Sequence, residues 1–148
     1  MELDEMLELV FATEGEERLA FTKRQFEKVT EEFKRIGVDA QNQGAIMLEI
    51  VKLFLRADQR TSFEEYTFLS ELLGLNMSYD AFRSKIRAPQ PENYEETIEA
   101  IVKGFTYEGR VAFCYFGLCL IESDEKMNPE ERTLIEHVVN ALLGRARS

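Results

Sequence analysis

ADQRTSFEE (Ala57 to Glu65) and SDEKMNPEE (Ser123 to Glu131) are written in one frame: a small residue, an Asp, a five-residue stretch carrying a helix-start signal, then two Glu. Each stretch follows an apolar run and opens a second helical pattern, so the chain reads as building the same acidic helix-turn-helix corner twice. Ser62 to Glu65 fits the S-x-x-E capping box, and Asn128 to Glu131 is its variant with Asn at the cap. Both corners therefore join helices, and the fold reads outward from them.

Helix signals occupy nearly all of the remaining sequence, and no stretch combines strand alternation with hairpin turn chemistry. The predicted fold is all-α, a single-domain bundle of about seven to eight helices. Leu3 to Ala12 forms a short amphipathic segment. Thr22 with Gln25 reads as a capping box for a helix carrying Phe26, Val29, Phe33 and Ile36 and stopped by Gly37. A third helix spans about Ala40 to Ala57, with Ile46, Met47, Ile50, Val51, Phe54 and Leu55 on a broad apolar face.

After the first corner, a helix capped by Ser62 turns Phe63, Tyr66, Leu69, Leu72 and Leu73 inward and stops at Gly74. Ser78 starts a shorter helix through Arg87. The segment APQPEN (Ala88 to Asn93) is the clearest internal linker, because it holds two of the chain's 3 prolines. Asn93 and Glu96 then cap a helix bearing Ile98, Ile101, Val102 and Phe105. The helix from about Glu108 to Ser123 is apolar on nearly all sides, which makes it the hub of the core. Pro129 after Asn128 opens the last helix, which buries Leu134, Ile135, Val138, Val139, Leu142 and Leu143 before Gly144. The pattern implies one domain over residues 1–148, with N-terminal helices in 1–37 and a core of two pseudo-equivalent helix-corner-helix halves in 40–143.

Composition narrows the function. With 28 Asp+Glu against 18 Lys+Arg and a formal charge of -10, the chain repels phosphate backbones, which argues against nucleic-acid binding. The longest apolar run, Val111 to Ile121, falls well short of the ~20 residues that span a bilayer, so no transmembrane segment is expected. The start MELDEMLELV is acidic where a signal peptide needs a basic stretch, so the location is read as cytoplasmic. Cys114 and Cys119 lie five apart on one helix, about 140° around its axis, and cannot pair with each other. His137 is the only histidine, with no second His for a zinc set. No glycine-rich phosphate loop or G-x-S-x-G elbow occurs, and no enzymatic activity is expected.

The corners carry the remaining chemistry. Glu65 and Glu131 each stand at the third position of a new helix, where capping and the helix dipole account for them. Asp58 and Asp124 are harder to explain, because a negative charge at a helix C-terminus costs about 0.3–1 kcal/mol. Two explanations stand. Each Asp forms a local turn with amides two residues on, or Asp58, Glu65, Asp124 and Glu131 converge on a hard divalent cation, calcium or magnesium. Neither corner is an EF-hand, because the required oxygen positions fall on residues such as Arg60 and Leu69 or Lys126 and Ile135.

The repeated pattern small-Asp-Gly-x-x-Ser-x-x-Glu between helices resembles that of the TerB domain of tellurite-resistance proteins and its TerB-like relatives. The resemblance spans about Ala45 to Leu143, through LFLRADQRTSFEEYTFLSELLG and GLCLIESDEKMNPEERTLIEHVV. Gln59 and Glu125 stand where that pattern has Gly. The resemblance implies a metal site at Asp58, Glu65, Asp124 and Glu131, and a stress-response role with protein partners, oligomers or complexes at the cytoplasmic membrane face. A metal-free helical adaptor is the alternative.

Overall fold

The computed structural model describes residues 2–58, 63–88, 94–121 and 128–144. Among them stand eight α-helices and no strand: α1 (Leu3–Phe11), α2 (Gly15–Arg35), α3 (Ala40–Asp58), α4 (Phe63–Leu73), α5 (Tyr79–Arg87), α6 (Tyr94–Gly104), α7 (Tyr107–Cys119) and α8 (Pro129–Leu142). None is long and apolar enough to cross a membrane.

The hub is α7. Between Ala112 and Cys119 every side chain is buried, and the helix packs against α1, α2, α3 and α8, most extensively against α2. Phe33 of α2 meets Phe105 edge-on at 5.0 Å between centroids, while Phe113 of α7 stacks on Phe105 at 6.1 Å. Where α3 crosses α7 the two approach closely. A Cβ on Gly117 would lie 2.3 Å from the Phe54 ring, so only glycine fits against that fully buried phenylalanine. On the far side of the core α3 packs against α8, and α6 also lies on α8.

Local signals set several ends as expected. Ser78 caps α5 by accepting the Ala81 amide, and Gly74 ends α4 with a left-handed φ of 66°. Other expectations need correction. The capping box read at Thr22 and Gln25 does not start a helix: α2 begins at Gly15, and both side chains are buried within it. Thr22 instead donates its hydroxyl to the Arg18 carbonyl at 2.7 Å, an interior helical bond. Phe63, expected to face inward, is 59% exposed, and Ile36 is exposed as well. The hub helix ends at Cys119 and passes into a turn at Leu120. Ser62 and the linker residues 89–93 lie outside the described residues.

Three helix ends are tied down by arginines from elsewhere. Arg18 Nη2 donates to the Val10 carbonyl near the end of α1 (3.1 Å), Arg35 Nη2 to the last residue of α6, Gly104 (2.5 Å), and Arg110 Nη1 to the Leu143 carbonyl closing α8 (2.9 Å). The Val10 carbonyl also accepts from the Thr13 amide and hydroxyl, and each guanidinium places positive charge at the negative end of a helix dipole.

Candidate functional site

The first corner joins α3 to α4 and the second joins α7 to α8. Asp58 is the last residue of α3, the end position expected for it, and Glu65 lies in the first turn of α4. The side chains of Asp58 and Glu65, and all of Asp124, Gln59 and Glu125, lie outside the described residues.

Glu131 is fully described, and it completes a local cap. Its amide donates to Asn128 Oδ1 at 2.8 Å, and its Oε1 accepts the Asn128 amide at 3.2 Å, so both halves of a capping box are made. The residue is 9% exposed, with Pro129 fixing the first helical position. The cap occupies one carboxylate oxygen of Glu131. Among the described residues no three His, Cys, Asp or Glu side chains gather where they would hold a metal ion.

The helices bordering the two corners do meet. A cleft of about 280 Å³ is lined by Gly15, Arg18, Leu19 and Thr22 of α2, by Glu64 and Phe68 of α4, and by Cys119, Leu120 and Ile121 at the end of α7. Glu64 immediately precedes Glu65, and Ile121 is the last described residue before the second corner. Burial pushes the Cys119 thiol up, over the opposing pull of a Thr22 hydrogen bond and the Arg18 charge. It is held as the thiol, the poorly nucleophilic form. A second cleft, about 270 Å³, lies between α3 and α5 and includes Glu49, Lys52 and Lys85.

A dense polar junction lies elsewhere, at the start of α7. Glu32 of α2 accepts the Thr106 amide at 2.6 Å and the Thr106 hydroxyl at 3.0 Å, while Thr106 Oγ1 accepts the Gly109 amide at 3.1 Å. Arg35 Nε donates to the same carboxylate at 3.3 Å. Burial acts to raise the Glu32 carboxyl, but the bonds from the Thr106 amide, Arg35 and the Thr106 hydroxyl, with the Arg35 charge, hold it below its ordinary value. Gly109 makes the approach possible, because a Cβ there would lie 2.3 Å from Glu32 Oε2. Sequence reading missed this carboxylate, whose partner is 74 residues away.

On the outer side of α4, exposed Phe63 joins Tyr66 and Tyr79 in an aromatic group that reaches buried Phe82. Tyr66 anchors it by donating its hydroxyl to the Met77 carbonyl at 2.5 Å. No family model, no curated protein and no solved structure matches the chain.

Proposed function

We propose that this chain is a non-enzymatic, TerB-like, stress-associated interaction module whose two acidic corners share a divalent cation. The observation that carries the reading is the common cleft: Glu64 beside the first corner and Leu120 and Ile121 beside the second line one space. Glu64 is the chain neighbour of Glu65, and Ile121 stands three residues before Asp124, which supports a meeting of the two corners. Four carboxylates held together would repel, and a hard cation with oxygen ligands would relieve the repulsion. The cation would then lock α3–α4 to α7–α8 and fix the surface offered to a protein partner, as the TerB resemblance implies for a complex at the cytoplasmic membrane face.

A metal-free adaptor is the second reading, and two observations favour it. The capping box already employs Glu131, and the exposed Phe63 with Tyr66 and Tyr79 forms an aromatic surface of the kind enriched at interfaces. Calorimetric titration of chelator-stripped protein with calcium, magnesium, zinc and manganese separates the two. Saturable binding that disappears in a folded Asp58→Asn/Asp124→Asn variant supports the cation. Absence of binding in the wild type refutes it and leaves the adaptor.

A further inference from the structure

The cleft between α2, α4 and the end of α7 holds a positive charge that helix packing leaves partly unused. Leu19, Phe68, Leu120 and Ile121 make its walls mainly apolar around a space of about 280 Å³. Sites for small organic molecules are apolar concavities with a few polar groups that fix orientation, and this volume suits the small end of that class. The cation in the wall is Arg18.

Arg18 has two structural contacts: Nη2 reaches the Val10 carbonyl, and the guanidinium lies 5.2 Å from the centre of the Phe11 ring. Its Nε–H is nevertheless buried without an acceptor. Among the described residues no carboxylate forms an ion pair with it, although the chain carries 28 Asp+Glu. The guanidinium fork is built to receive a carboxylate. Glu64, exposed on the α4 side, sets the charge limit. A second negative charge on the ligand would meet repulsion there.

The geometry points to a binding site for a small apolar monocarboxylate, its carboxylate on Arg18 and its hydrocarbon against Leu19, Phe68, Leu120 and Ile121. This assignment does not rest on the cation reading.

The test is calorimetry of the full chain in excess chelator, with decanoate as probe and decanol as its uncharged counterpart. Saturable one-to-one binding of decanoate is expected, weakened about tenfold or more in Arg18→Gln, with decanol weaker by a similar factor, as loss of a charge-assisted bond requires. Methyl resonances of Leu120 and Ile121 should shift with decanoate. Because Arg18 also holds the end of α1, Leu19→Glu gives an independent arm: the position is 42% exposed, and a carboxylate there should repel the ligand without disturbing the core. The proposal is overturned if decanoate does not bind, if decanol binds equally well, or if folded Arg18→Gln or Leu19→Glu protein binds decanoate like the wild type.

Discussion

Replacing Gly109 by alanine should destabilise the folded chain, and the same replacement should stabilise it once Glu32 has been removed. Gly109 is the third residue of α7 after its Thr106 cap, in ordinary helical conformation. Alanine in a helix is favoured over glycine by about 1 kcal/mol. Against that gain stands the geometry: the added methyl would lie 2.3 Å from Glu32 Oε2 and 2.5 Å from its Cδ and Cγ. The carboxylate is the movable partner, so it would swing away and release the Thr106 amide and hydroxyl. Hydrogen bonds to charged groups contribute about 1.5–3 kcal/mol each, and here one departing carboxylate loses two that share an acceptor oxygen. Taking about 2–3 kcal/mol for the pair, the wild-type background should lose about 1–2 kcal/mol on Gly109→Ala after the propensity gain. In Glu32→Ala the obstructing atoms are absent, and Gly109→Ala should gain up to about 1 kcal/mol. Urea unfolding of the four proteins of the cycle, compared at equal m-values, measures the coupling directly. Equal effects of Gly109→Ala in both backgrounds would show that Glu32 does not occupy the space above Gly109.

The same carboxylate predicts a pH signature. Its folded value is depressed, so its contribution is present above the unfolded value of about 4.3 and disappears as pH falls through the folded value. Wild type should exceed Glu32→Gln in stability at neutral pH, with the gap closing in acid; a gap independent of pH would contradict the assignment. Gly117→Ala should destabilise by about 1–3 kcal/mol through overpacking against Phe54, and Phe54→Leu should recover part of the loss, read as paired shifts in thermal midpoint. Asn128→Ala should remove about 1 kcal/mol with the cap of α8. Glu131→Gln should be nearly neutral in stability, since Gln also completes the box, so a large loss in Glu131→Gln would point to a role beyond capping.

Much of the helical arrangement was legible because its signals are local. Ser78, Gly74 and the Asn128–Pro129 pair act on the few residues beside them, and a pattern of buried positions in α7 follows from its lack of any polar face. Thr22 and Gln25 misled because the capping-box pattern says nothing about whether the preceding residues are already helical. Gly15 to Phe21 starts α2 from Glu14 without any side-chain cap, so no local motif marks its first turn. Phe63 misled in another way: helical spacing places it near the apolar face, but as the first residue of α4 it stays 59% exposed, with Tyr66 and Tyr79 against its ring. Of the four acidic residues singled out, Glu131 was readable from Asn-x-x-Glu alone. The cleft, Arg18 and the Glu32–Thr106 junction were not, because each is made by residues distant in sequence whose meeting depends on the packed fold.

Arginines fastened to foreign helix ends also change how the molecule can open. A helix that closes its own terminus frays residue by residue, with its last amides exchanging with solvent far more readily than its centre. The final carbonyls of α6 and α8 are instead held from α2 and α7. Releasing either terminus therefore also breaks a bond to a guanidinium on another helix. The last turns of α6 and α8 should thus exchange their amides more slowly than termini held by their own helix alone.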